Sequence, residues 1–238
     1  MLEEYIAVDL EMTGLRPVRD KILEIGAVYV KNGQIIETYE TLVNPGIMIP
    51  PEITELTGIT QAMAEGGTDT KAAMTGFLEF RRNLPLVGHN ILYDYSFLKQ
   101  NAANCDLELE AMVLDTLKLS RKLLPGLEKK TLVAMCEYFH IIRKQEHRAL
   151  CDAEAAAQLL ELLKKQFGEA CPELFEPTQI TFKVKKQGPI TPRQKKYLKE
   201  LAEYHKIELS VTIDGLTRGE ASRLTDRILA QYGKVPEK

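Results

Sequence analysis

Three stretches near the start of the chain are apolar throughout or alternate with period two. Residues 4–10 (EYIAVDL), 22–30 (ILEIGAVYV) and 34–43 (QIIETYETLV) each read as a β-strand. Lys31, Asn32 and Gly33 between the second and third form a hairpin turn signal, so the three predict a meander. Residues 44–60 (NPGIMIPPEITELTGIT) are rich in Pro and Gly and predict a loop with a short helix. Period-3.6 spacing then takes over. Residues 68–83 predict a helix opened by Thr68 and Asp69, residues 84–90 (LPLVGHN) a short strand, and residues 94–105 a helix. Residues 109–116 (LEAMVLDT) read as a strand, and residues 116–124 and 129–141 as helices. Residues 148–167 (RALCDAEAAAQLLELLKKQF) predict a long amphipathic helix that closes the body. A meander followed by alternating helices and strands is the pattern of an α/β fold with a mixed sheet.

The pattern breaks around residues 168–179 and begins again with its own signals. Thr191, Pro192 and Gln194 make a capping box with proline at the first helical position, and Thr217 with Glu220 repeats the box before a helix ending at Gly233. Two helices of this length need packing partners to be stable. The expected organisation is a body over residues 1–170, a basic linker over 171–190 and a small helical C-terminal module over 191–238.

Composition narrows the class. Hydrophobic residues make up 45% and charged residues 27% of 238, the balance of an ordinary globular chain rather than a disordered or fibrous one. There is no basic leader and no uninterrupted apolar run of about 18 residues, so neither secretion nor a membrane span is expected. Cys105, Cys136, Cys151 and Cys171 lack any C-x-x-C spacing and read as reduced packing residues, in keeping with the cytoplasm. The net charge of −3 conceals an asymmetry. Residues 1–177 carry 18 Lys/Arg against 27 Asp/Glu, a net −9, and residues 178–238 carry 13 against 7, a net +6. The basic run at 178–199 admits two readings, a solvated face and a nucleic-acid contact.

Two carboxylates are out of place in this pattern. Asp9 and Glu11 stand at i and i+2 near the end of the first strand and so project from one face. Two adjacent anions repel, and burying either unpaired costs several kcal/mol, so the pair asks for a metal. Asp94 follows a short apolar strand at a helix start, where its charge suits the helix N-terminus. Asp152 lies among alanines near the start of the last body helix, with His147 five residues before it. A single α/β sheet can bring all these groups together.

DLEMTG (9–14), HNILYD (89–94) and HRALCDA (147–153), in that order, resemble the three motifs of the DnaQ-like 3′–5′ exonuclease superfamily, in its histidine-bearing DEDD branch. Residues 37–60 and 113–132 also resemble the connecting segments of bacterial proofreading exonucleases, the epsilon-subunit and PolC group. The resemblance implies an RNase H-like fold with a five-stranded mixed sheet flanked by helices. It implies that Asp9, Glu11 and Asp152 bind two divalent ions, with Asp94 completing the set directly or through water, and that His147 is the general base. Oxygen ligands favour Mg²⁺ or Mn²⁺ over zinc. The branch with a tyrosine four residues before the last aspartate is disfavoured, because that position is Arg148.

The same resemblance assigns Met12, Thr13 and Gly14 to the 3′-terminal sugar and phosphate. It sets Leu56 and Tyr93 against the last base and sugar, with core packing as the alternative, and has Asn90 steadying the loop before Asp94. Glu24, a charge in an apolar strand, reads either as a hydrogen-bonding support for the site or as a sheet-edge residue. The implied activity is release of nucleoside 5′-monophosphates from single-stranded or frayed 3′ ends, with DNA favoured over RNA. Met12 resembles the oligoribonuclease pattern and keeps short RNA open. A non-catalytic, polymerase-associated subunit is the third class. The tail resembles a small helical module appended to various bacterial and phage proteins, and it could bind single strands or dock a polymerase or another replication or repair protein.

Overall fold

A computed structural model describes residues 2–143, 145, 147–185, 188–209 and 213–235. The meander forms as expected: β1 (Glu4–Met12), β2 (Ile22–Lys31) and β3 (Gln34–Leu42) pair antiparallel, with Asn32 and Gly33 at positive φ in the hairpin turn. The loop that follows carries two short helices, α1 (Pro51–Thr57) and α2 (Gln61–Glu65). Then come α3 (Thr70–Arg81), β4 (Leu86–Gly88), α4 (Leu92–Asn104), β5 (Met112–Asp115), α5 (Thr116–Leu123), α6 (Leu132–Phe139) and α7 (Ala149–Phe167). β4 lies parallel to β1, and β5 parallel to β4.

The sheet has a sixth strand, in the order β3-β2-β1-β4-β5-β6, where five were expected. β6 (Thr178–Gln179) pairs antiparallel with Met112 and Val113 of β5. Both of its residues are exposed and polar, so it has no apolar alternation to reveal it. It lies inside the segment read as a linker, of which Lys186 and Gln187 fall outside the described residues.

Side chains alternate across a strand, so β1 feeds two cores. Ile6, Val8 and Leu10 pack with Met74, Phe77, Phe97 and Leu98 of α3 and α4, while Tyr5 and Ala7 pack with Leu159, Leu160 and Leu163 of α7. Burying each such leucine or isoleucine stabilises the fold by about 1.5–3 kcal/mol. β1 and β2 therefore read as continuous apolar runs, buried on both faces, until β1 reaches its acidic end.

The start of α7 crosses β2 with almost no clearance. A Cβ on Gly26 would lie 2.0 Å from the Leu150 nitrogen and 2.1 Å from the Ala149 carbonyl carbon. The helix has no side-chain cap of its own; Glu24 on β2 accepts a hydrogen bond from the Ala149 N–H at 2.9 Å instead. A sheet carboxylate thus satisfies a free donor at the helix N-terminus.

The chain divides into two compact units. One comprises Met1–Pro45 and Ile49–Val184, the other Gly46–Met48 and Lys185–Lys238. Within the second, α8 (Pro192–His205) and α9 (Arg218–Tyr232) both begin in complete capping boxes and bury Leu198, Leu201, Leu216, Ala221 and Ile228 in a core of their own.

Candidate active site

The acidic end of β1 is shaped by its neighbours. Asp9 pairs across the ladder with Gly26 and Glu11 with Glu24, and a bulge between Glu11 and Met12 then breaks the register. Carboxylates directly opposite one another destabilise a ladder. Arg148 answers the charge of Glu24: its Nε lies 3.1 Å from both Glu24 oxygens, its Nη2 lies 2.5 Å from Oε1, and the same Nη2 also reaches Glu40 at 3.2 Å. Glu24 is fully buried on a strand between β1 and β3, which excludes the sheet-edge reading and leaves it as the support for the start of α7.

Asp94 occupies the first turn of α4, and its Oδ1 accepts a hydrogen bond from the Leu10 N–H at 3.1 Å, between the two β1 carboxylates in sequence. Asp152 occupies the first turn of α7. Donor atoms of Glu11, His147 and Asp152 lie within 4.8 Å of one another, the one such group among the described residues that could hold a metal ion. His147 has φ 53°, a left-handed backbone that L-residues adopt rarely. The chain thus brings together the ends of β1, α4 and α7 and the loop before α7.

The electrostatics are those of crowded anions. Burial, then Asp152, Glu24 and Asp94, push the Glu11 carboxyl up to about 8, with Arg148 opposing. Burial, then Asp94 and Glu11, hold Asp9 well above the usual carboxylate range. Asp94 is raised by burial too, against the pull of its backbone hydrogen bonds. No Lys or Arg among the described residues pairs with Asp9, Glu11 or Asp94, whereas Arg143 Nη1 reaches Asp152 Oδ1 at 2.9 Å. Buried, mutually repelling oxygen donors without a cation of their own fit a hard divalent ion.

The residues expected at the substrate have distinct surroundings. Thr13 Oγ1 accepts from the Lys21 N–H and Gly14 lies against Asp20, which closes the loop after β1, while Met12 is half-buried. Leu56 is 53% and Tyr93 43% exposed, so neither is a core residue. Asn90 takes φ 71° in the turn before α4, and its N–H donates to Asp115. The sequence pattern does not single out Arg143, which no spacing signals, or His89, whose Nδ1 and Nε2 lie 2.9 Å and 2.8 Å from Thr116 Oγ1 and the Lys130 carbonyl. Nor does it single out Asp115, although an Asp-Thr pair at a helix start is a capping signal and Asp115 caps α5.

The family model for exonucleases (RNase_T) matches residues 6–160. The chain belongs to the exonuclease family. Its DnaQ-like class is that of 3′–5′ exonuclease hydrolases. The PolC-type DNA polymerase III of Caldanaerobacter subterraneus subsp. tengcongensis is 42% identical over 163 residues, 68% of this chain and 12% of that one. The PolC-type polymerase of Bacillus subtilis is 39% identical over 170 residues, again 12% of its length. The exonuclease chain thus spans a small part of these curated relatives. Exonuclease X, solved with 5′-overhanging duplex DNA, superposes with TM-score 0.55 at 26% identity over 71% of this chain and 93% of its own. Escherichia coli Exonuclease I, solved with a dT13 oligonucleotide, shares the fold with TM-score 0.65 at 17% identity over 73% of this chain and 43% of its own.

Proposed function

We propose that this exonuclease removes nucleoside 5′-monophosphates from single-stranded or frayed 3′ ends of DNA. The observation that carries the reading is the grouping of Glu11, His147 and Asp152 within 4.8 Å, at a strand end against which Asp94 is hydrogen-bonded. Asp9, Glu11 and Asp152 would hold two divalent ions, Mg²⁺ or Mn²⁺, with Asp94 completing the set. When bound, such a pair neutralises the phosphate and orients the attacking and leaving oxygens. His147 would accept the proton of the attacking water, a task suited to an imidazole at neutral pH. Glu24 and Arg148 anchor the first turn of α7 and so position Asp152. Exposed Leu56 and Tyr93 are free to lie against the terminal base and sugar, with Met12, Thr13 and Gly14 at the 3′ end and Asn90 steadying the turn before Asp94.

The PolC-type relatives and the DNA in the Exonuclease X structure support DNA as substrate and a polymerase as partner; the C-terminal module would be the part that docks it. Met12 is the residue that favours short RNA. Incubating 3′-labelled single-stranded, paired and mispaired DNA and short RNA with Mn²⁺ or Mg²⁺ tests the proposal. Mononucleotide release from DNA, abolished by EDTA and by His147→Ala in a folded protein, is expected. Wild-type activity in that variant removes His147 from the mechanism, and release from RNA alone replaces DNA as the substrate.

A further inference from the structure

Beside the Asn90 turn the body opens into a pocket of about 430 Å³, lined by His89, Asn90, Leu117, Arg121, Lys130 and Leu132, with Glu128 as its one carboxylate. Two basic residues, Arg121 and Lys130, stand in its lining against that single carboxylate, within a body that is acidic over residues 1–177. Arg121 is exposed and has no carboxylate partner among the described residues. The Lys130 ammonium donates to the Leu127 carbonyl, a neutral acceptor. The pocket is rigid where it meets the site. His89 is fixed between Thr116 and the Lys130 carbonyl, and burial lowers the pKa of its imidazole. Asn90 in its lining stands in the turn that leads directly into the first turn of α4, where Asp94 sits, so the pocket borders the carboxylate cluster.

We propose that this pocket holds a phosphate of the polynucleotide strand upstream of the bond that is cut, gripped by Arg121 and Lys130. The inference rests on the exonuclease reading and deepens it. A cluster of anions repels a phosphodiester chain beyond the reach of any ion it binds, so the strand needs cations along its approach. Arginine supplies a planar fork matched to phosphate oxygens, and lysine a point charge. The pocket's volume lies within the ordinary range for a bound small group.

The test is equilibrium binding of a fluorescein-labelled oligodeoxythymidine to the full chain in EDTA, followed by anisotropy over a salt series. Arg121→Gln with Lys130→Gln is expected to weaken binding about tenfold and to flatten the salt slope by about 0.7 for each phosphate no longer neutralised. Arg121→Lys should keep the slope while losing part of the affinity, and Glu128→Gln should tighten binding. Unchanged affinity and slope in the folded double variant overturns the inference. A wild-type chain that binds the strand through these two residues but releases no nucleotide with Mn²⁺ leaves the pocket standing and overturns the exonuclease reading instead.

Discussion

Arg143 Nη1 lies 2.9 Å from Asp152 Oδ1, with 7% and 10% of the two side chains exposed. A guanidinium from the segment before His147 thus sits on a carboxylate proposed as a metal ligand, and an entering ion has to compete with it. A hydrogen bond to a charged group is worth about 1.5–3 kcal/mol. Arg143→Ala is therefore expected to bind Mn²⁺ about tenfold more tightly by calorimetry. Equal or weaker affinity would show that Arg143 is not a competitor.

The carboxylate cluster gives the metal-free protein a characteristic pH dependence. In the folded chain Glu11 keeps its proton up to about pH 8, against an ordinary value of 4.5, so the folded state binds more protons across that interval. Stability then falls as pH rises through it. Melting temperature in EDTA should decline from pH 5 to pH 8, and Mn²⁺ should restore most at the alkaline end. Glu11→Gln should flatten the decline; a profile as steep as wild type in that variant would assign the effect elsewhere.

The Glu24–Arg148 pair predicts a strong asymmetry between single and double substitutions. Glu24 is fully buried, so Arg148→Met strands a charge and should cost about 3–5 kcal/mol in chemical denaturation. Adding Glu24→Gln removes the stranded charge and should recover a good part of that loss, since Gln can still accept from Ala149. Additive losses in the double variant would mean that the pair is not coupled.

His89 predicts an acid-side effect. Burial holds its imidazole below the ordinary 6.5, so its contribution is complete above that pH and is lost as pH falls toward the depressed value. His89→Gln should cost about 1–3 kcal/mol near neutrality and melt with less dependence on pH between 5 and 6.5. Acid sensitivity identical to wild type would exclude His89 as its source.

What the sequence revealed followed the strength of its local signals. The meander, the alternating helices and both tail capping boxes are written in apolar period and cap residues. β6 and the five-residue α2 are too short to carry a period. Asp9, Glu11, Asp94, His147 and Asp152 stand out by motif, because their spacing is local to three short segments. The partners that position them do not: Glu24 meets Arg148 across 124 residues, and that pairing is settled by the crossing of a helix over a sheet. Exposure of Leu56 and Tyr93 was equally illegible, since an apolar or aromatic residue near a helix end reads the same whether it faces a core or a ligand.

Gly26 carries none of the chemistry, yet it governs where the chemistry occurs. Even a methyl group there would overlap the backbone of Ala149 and Leu150 and lift the first turn of α7 from the sheet. In a collection of natural variants, a copy with all four carboxylates and the histidine intact but alanine at position 26 would look competent to any survey of reactive residues. It would nonetheless be a broken gene product, and the letter at position 26 is the one to inspect when sorting working copies from decayed ones.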